Sequence, residues 1–316
     1  MIGPKVVALG GGHGLAASLA ALRHLTDQLT AVVTVADDGG SSGRLRRELG
    51  VLPPGDLRMA LSALCDDSEW GRTWRDVLQH RFSSSGELDQ HAVGNLLIVA
   101  IWELLDDEVR GLELVGRLLR SRGRVLPMAT VPMDIEADVE GLPGGETVVR
   151  GQAAVATTPG RVTGVRLIPP DAPACPEAVK AVREADWVVL GPGSWFTSVM
   201  PHLLVPGLRE ALLEGPARTC VVMNLATPFG ETDGFSATDH ITALAQHAPK
   251  LGLDVVLADP RAVDDVGPLS EAVSELGGEL LLRQVSSVGN PAKHDPLRLA
   301  AAFRDVFDRV LGDTRR

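Results

Sequence analysis

Tyrosine is absent from all 316 residues, and aromatic side chains together make up only 3% of the chain. The Tyr/Lys pair of a nicotinamide-dependent dehydrogenase therefore cannot be built, and no catalytic His/acid pair stands in for it. Cysteine is nearly absent too. Cys65, Cys175 and Cys220 are odd in number and far apart, so no disulfide framework or metal spacing follows, as in a reducing cytosol. The longest apolar stretch, Leu96–Trp102, falls far short of the roughly 20 residues that span a bilayer. Val6–Leu9 runs straight into glycines and is too short for a signal-peptide core, so the expectation is a soluble, cytoplasmic protein without membrane insertion. Missing as well are a G-x-S-x-G elbow, an H-E-x-x-H helix and a G-x-x-x-x-G-K-[ST] loop. Serine hydrolase, zinc protease and P-loop NTPase are disfavoured.

Basic side chains are outnumbered 30 to 41, leaving a net charge of −11. That balance argues against broad binding to nucleic acid or to anionic membranes. An anionic ligand is still accessible, because backbone amides or a bridging cation supply local positive potential. With 45% hydrophobic and 22% charged residues, the chain can bury an ordinary globular core.

Short apolar strands alternate with helical patterns. Lys5–Leu9 leads into glycines and the helical segment Leu15–Leu25, and Thr30–Val35 reads as a strand buried on both faces. Helical spacing dominates from Asp56 to about Arg120. From 125 to 168 alternating stretches predict antiparallel strands at Ile135–Val139, Thr147–Val149, Ala153–Thr157 and Val162–Ile168. Parallel-strand character returns at Trp187–Leu190, Thr219–Met223 and Asp254–Leu257, and Pro296–Leu311 closes the chain as an amphipathic helix. The prediction is one doubly wound α/β domain over 1–316, with an inserted β-rich excursion at 125–168.

Three constellations carry chemistry. Gly10, Gly11, Gly12, His13 and Gly14 form a strand-to-helix turn in which the backbone can approach a phosphate at a helix N-terminus. The spacing is G-x-G-x-G, not the dinucleotide G-x-G-x-x-G. His13 either contacts a ligand or caps the helix. The second constellation, Asp37-Asp38-Gly39-Gly40-Ser41-Ser42-Gly43, follows the second strand, where ligands of open α/β sheets bind. One of its acids could take ribose hydroxyls. Alternatively Asp37 and Asp38, with Asp56 of Pro53-Pro54-Gly55-Asp56, could hold Mg²⁺ through oxygen ligands. The third is Gly191-Pro192-Gly193-Ser194, followed by Thr197 and Ser198, another strand ending in glycines and hydroxyls. Asn95, in Asp89–Asn95 just before the apolar helix, and Asn224, directly after the strand Thr219–Met223, add polar groups. Asn224 could read a base or sugar edge.

The stretches Gly10–Leu15, TVADDGGSSGR (34–44), PPGDLR (53–58), Gly94-Asn95-Leu96 and GPGSWFTSVMP (191–201) resemble the YvcK-like gluconeogenesis factors. These lie within the superfamily of CofD, the 2-phospho-L-lactate transferase. The resemblance runs from the first strand to His294-Asp295, and the histidine at position 13 is similar to the actinobacterial branch. It implies a three-layer Rossmann-like fold and binding of a nucleotide-diphosphate sugar, UDP-N-acetylglucosamine in particular. It also implies support of cell shape and peptidoglycan synthesis on gluconeogenic carbon, and a serine/threonine kinase as a partner. Lys293 stands where relatives carry a basic residue, often arginine, linked to the UDP-sugar; lysine keeps the charge without the bidentate fork. Relatives also differ at Met59 and Gln90, and their M-T-Q-P-G-E-T stretch appears here as residues 226–232. No cofactor is required on this reading, although Mg²⁺ could accompany the nucleotide, and a homo-oligomer is left open. Asp37, Asp38 and Asp56 would suffice for metal-assisted transfer, so the residues alone do not separate a sensor from a Mg²⁺-dependent transferase; the resemblance favours a non-catalytic UDP-sugar sensor, because CofD proteins diverge from this chain over the GGSSG stretch.

Overall fold

The computed structural model describes residues 3–142, 147–226 and 230–313. The chain opens with β1 (Val6–Gly10), α1 (Gly12–Leu22) and β2 (Leu29–Val33). A helical run follows: α2 (Gly40–Leu49), α3 (Gly55–Leu64), α4 (Glu69–Gln79), α5 (Val93–Leu105) and α6 (Glu108–Leu119). After β3 (Arg124–Pro127) come β4 (Asp134–Glu140), β5 (Val148–Arg150), α7 (Gln152–Ala156) and β6 (Arg161–Ile168). Next are α8 (Pro176–Arg183), β7 (Trp187–Leu190), a π-helical turn over Trp195–Val199, α9 (Met200–Leu204) and α10 (Pro206–Glu214). The last elements are β8 (Arg218–Val222), α11 (Ala237–His247), β9 (Val255–Ala258), α12 (Val266–Glu275), β10 (Glu279–Leu282) and α13 (Pro296–Asp313).

Seven strands form one parallel sheet in the order β10-β9-β8-β7-β1-β2-β3. β1, β7 and β9 are buried along their whole length, which is why they read as unbroken apolar runs instead of alternating ones. The chain winds outward from β1 to β3, then returns to β7 on the other side of β1 and winds outward again. Right-handed crossovers in opposite directions place helices on opposite faces and complete three layers. α1 packs between α3 and α13.

The excursion is a separate antiparallel sheet, β5-β4-β6. It begins later than the sequence suggests: β3 belongs to the large sheet, and the small one starts at Asp134. The expected strand at Ala153–Thr157 is the helix α7. Its sequence, Gln152-Ala-Ala-Val-Ala156, favours helix, and the Asp38 carboxylate accepts the Ala153 amide at 2.9 Å in its first turn. Arg46 on α2 and Arg150 on β5 both bind Asp134, which ties the small sheet to the large domain. No helix among the described residues is long and apolar enough to cross a membrane.

Candidate functional site

Strand order reverses between β1 and β7, and ligands of open α/β sheets lie outside the strand C-termini at such a point. Both glycine turns lie there. α1 starts immediately after β1, with Gly11 as a cap that offers no side-chain hydrogen bond and no acid in the first turn. Gly12 turns its amide to Asp56, and the cap supplies no acceptor for the amides that follow it, which leaves them for an anion. Gly12 has φ +56°, a left-handed conformation that glycine adopts without strain. Gly14 is glycine for another reason: a Cβ there would collide with the Pro192 carbonyl and the Gly193 backbone. The two turns thus touch, and they fix each other. Asn224 clamps the second turn, its Oδ1 accepting the Gly193 amide and its Nδ2 donating to the Gly193 carbonyl, each at 2.9 Å. That use leaves the Asn224 carbonyl oxygen committed to the backbone and not to a base edge. Gly10, Gly11 and Gly191 are buried beneath the turns, Gly12, Gly193 and Ser194 are half-exposed, and His13 is exposed.

The acids divide. Asp56, at the start of α3, lies against the first turn, where a Cβ on Gly11 would meet its Oδ2 at 2.5 Å. Burial, and then the charge of Asp37, push Asp56 up to about 7, while the Gly12 amide pulls the other way. Asp37 receives the Gly39 amide at 3.0 Å through Oδ1, and its Oδ2 faces Gly55. Asp38 turns away to α7. The expected three-carboxylate cluster is therefore corrected: among the described residues no group of three His, Cys, Asp or Glu side chains converges as metal ligands. Asp38 fails to join because its carboxylate is taken by the Ala153 amide. The pair Asp37 and Asp56 remains, enough for Mg²⁺, which takes one or two carboxylates plus ligand phosphates and water.

Behind the acids lies a buried polar network. Arg58, 3% exposed, donates through Nε to Asn95 Oδ1 at 2.8 Å and through Nη1 to Gln79. Burial, then the nearby Arg81, lowers Arg58 to about 10, against the pull of Asp56 and Asp37. Asn95 Nδ2 donates to Ser41 Oγ at 3.0 Å and reaches Ser42 Oγ at 3.5 Å. Ser41 Oγ also accepts the Ala92 amide, so its one proton goes to His91 Nδ1, 3.0 Å away. Burial, then Arg44, holds the His91 pKa below its ordinary value, consistent with an unprotonated Nδ1. Ser41, Ser42 and Asn95 thus form the wall of the site and not its lining. Arg58 is the residue that sequence reasoning missed; a lone cation on the otherwise apolar helix Leu57–Leu64 was the available signal.

On the β7 side the expected hydroxyl row is also corrected. Thr197 is fully buried and Ser198 nearly so, because the chain after Ser194 turns into the core as a π-helix. Only Ser194 stays half-exposed, and its hydroxyl makes no cap. The carboxylate that does meet this turn is Glu231, whose Oε1 accepts the Phe196 amide at 3.1 Å. Lys293 is exposed on the loop before α13, where its carbonyl accepts the Ser287 amide at 2.8 Å. Its neighbour His294, lowered to about 4 by burial, bonds the backbone at Met223 beside Asn224. Thr227, Pro228 and Phe229 of the 226–232 stretch lie outside the described residues.

Comparison with known proteins adds ancestry to this geometry. The family described as 2-phospho-L-lactate transferase CofD matches residues 6–274. A protein of Mycobacterium tuberculosis (strain H37Rv) named "Putative gluconeogenesis factor" is 52% identical over 313 residues, covering 97% of this chain and 91% of its own. The "Gluconeogenesis factor" of Bacillus subtilis (strain 168) is 35% identical over 318 residues, 96% and 98% of the two chains. A crystal structure of a UPF0052 family member from Bacillus halodurans superposes with a TM-score of 0.86 at 33% identity, covering 96% of this chain and 99% of that one.

Proposed function

The chain belongs to the CofD family, and from that premise we propose that it is a regulatory protein that binds a nucleotide-diphosphate sugar, UDP-N-acetylglucosamine, in the switch-point crevice. One observation carries the reading: the first turn of α1 has no cap, is met by Asp56 at Gly12, and stands at the switch point between β1 and β7, where a diphosphate would find the remaining backbone amides and a favourable dipole. Asp37 and Asp56 would hold Mg²⁺, which would neutralise phosphate charge beside them. Lys293 supplies charge for the far end of the ligand. The role that this binding serves is control of cell shape and peptidoglycan synthesis during growth on gluconeogenic carbon, in the cytoplasm. A thermal-shift panel of UDP-, GDP- and dTDP-sugars, NAD and bare nucleotides, with and without Mg²⁺, tests it, since a ligand of the folded state alone raises the melting temperature by mass action. Selective stabilisation by the UDP-sugar is expected; equal response to all or to none defeats the reading.

A second reading, a CofD-like transferase, is favoured by one feature. Asp56 is raised to about 7 beside Asp37, a value at which a carboxyl can give or take a proton at neutral pH. Protein-dependent release of nucleotide from UDP-N-acetylglucosamine with phospholactate and flavin-type acceptors, lost in Asp37→Asn and in Asp56→Asn, would establish the transferase in place of the sensor.

A further inference from the structure

The π-helical turn Trp195–Val199 begins right after Ser194, yet Ser194 does not cap it. A helix start leaves amides that need an acceptor, and burial makes that need acute. Trp195, Phe196 and Thr197 are all buried, so water does not meet it. The acceptor comes from 35 residues downstream. Glu231 is 3% exposed and receives the Phe196 amide through Oε1 at 3.1 Å, beside the backbone of Trp195 and Thr197. Its segment is itself held fast, because Gly230 lies so close to the Ala156 carbonyl at the end of α7 that a Cβ there would collide with it. A second tie comes from the Trp195 indole, which donates to the His240 carbonyl at 2.9 Å.

Two consequences follow. The β7 turn cannot seat a ligand phosphate on its helix amides, because the protein's own carboxylate already occupies that place. And since Glu231 meets the capping requirement while Asn224 holds both backbone groups of Gly193, the half-exposed Ser194 hydroxyl is the polar group of this turn left for the crevice.

We propose that Glu231 is the positioning residue of the β7 side of the crevice: it pins the start of the π-helical turn, and through it presents Ser194 to the ligand. This rests on the nucleotide-sugar reading for the identity of the ligand, but not for the ordering of the turn. Glu231 touches no ligand atom; it acts through Ser194.

Four proteins decide it: the intact chain, Glu231→Ala, Glu231→Gln and Ser194→Ala, with the Glu231→Ala/Ser194→Ala double variant closing a cycle. Without ligand, amide hydrogen exchange over 194–199 should accelerate in Glu231→Ala while the core strands stay protected. Glu231→Gln keeps a carbonyl acceptor for Phe196 and should restore protection. With UDP-N-acetylglucosamine and Mg²⁺, calorimetry should show binding about tenfold weaker in Glu231→Ala, as for loss of one charge-assisted hydrogen bond's worth of order. Glu231→Gln should bind within about threefold of the intact chain, on the same scale. The double variant should bind no worse than Ser194→Ala alone, because one acts through the other. Unchanged exchange in Glu231→Ala, a uniform rise across the sheet, or additive losses in the cycle would each overturn the proposal. If the intact protein binds no nucleotide sugar, the nucleotide reading fails while the exchange arm still decides whether Glu231 orders the turn.

Discussion

The two glycine turns flanking the crevice look alike in sequence, each a short buried strand running into G-x-G, but they meet an anion differently. After β1 the chain enters α1 at once, with no cap and no acid of its own in the first turn, and the Asp56 carboxylate lies against the Gly12 amide. After β7 it enters a buried π-helical turn whose amides are met by Glu231. The same local chemistry therefore makes a ligand site on one side and an internal joint on the other. Each turn is met by a carboxylate remote in sequence, and the difference lies in its surroundings: Glu231 is buried under the π-helical turn, whereas Asp56 stands beside a second acid, Asp37. A glycine turn at a strand end marks a phosphate site only where no distant side chain has filled it.

Substitution at the contact between the turns breaks the comparison most severely. Gly14→Val drives a branched side chain into the Pro192 carbonyl and Gly193, neither of which can withdraw. A loss of stability on the order of 3 kcal/mol is expected, read as a lower urea midpoint with an unchanged slope. Gly12→Val should behave otherwise. The nearest atom to a Cβ at Gly12 is Asp56 Oδ1 at 3.9 Å, so stability falls only by the strain of φ +56°, about 1–2 kcal/mol. Its side chain nonetheless fills the diphosphate's place and abolishes nucleotide-sugar binding. Equal destabilisation by the two variants would mean that the turns do not touch.

Arg58 separates the sides by a different measure. It is the buried cation opposite Asp37 and Asp56, and nothing comparable faces Glu231. Arg58→Met leaves Asn95 and Gln79 without their donor and the acids without their counter-charge, at a cost of about 3 kcal/mol. Arg150→Met, which removes a solvent-exposed partner of Asp134, should cost far less, because water screens that pair. Urea denaturation of both variants at one pH checks the contrast, and equal losses would remove Arg58 from the core of the site.

Much of this layout could be read from the residues. The buried parallel strands announced themselves as unbroken apolar runs, and the glycine turns at 10–14 and 191–193 stand at the C-terminal ends of adjacent strands in the large sheet. What stayed hidden depends on long-range pairing. Asp37 and Asp38 are neighbours in sequence with the same side chain, and only the position of α7 sends Asp38 away from Asp56. β3 follows the last helix of a run, so nothing local distinguishes it from the antiparallel strands after it. Thr197 and Ser198 read as cap or ligand hydroxyls until the π-helical turn carries them inward. Asn224 was legible as a polar group at a strand end, but its clamp on Gly193 joins loops 31 residues apart.

The dependence on pH is the most discriminating test, because each side holds one acid of raised pKa. Asp56 and Glu231 are both pushed up to about 7, chiefly by burial. Each therefore keeps its proton in the folded chain over a range, from about 4 to about 7, in which the unfolded chain has released it. The folded state binds more protons there, so stability is greatest near the acid end of that range and falls as pH rises through it. Above about 7 both carboxylates are charged and buried, and the cost is complete. Asp56→Asn removes one of the two contributions, so its stability relative to the intact chain should improve from pH 5 to pH 8. Glu231→Gln should do the same in ligand-free protein. Mg²⁺ and nucleotide sugar then tell them apart. A cation at Asp37 and Asp56 binds the ionised carboxylate and draws Asp56 downward, so saturating ligand should erase the Asp56 part of the slope. It should leave the Glu231 part standing, since that carboxylate meets only the protein's own amides. Urea midpoints at pH 5, 6, 7 and 8, with and without ligand, measure both. If ligand flattens the Glu231 contribution as well, the β7 side exchanges its internal anion for the ligand's, and the contrast between the two turns is lost.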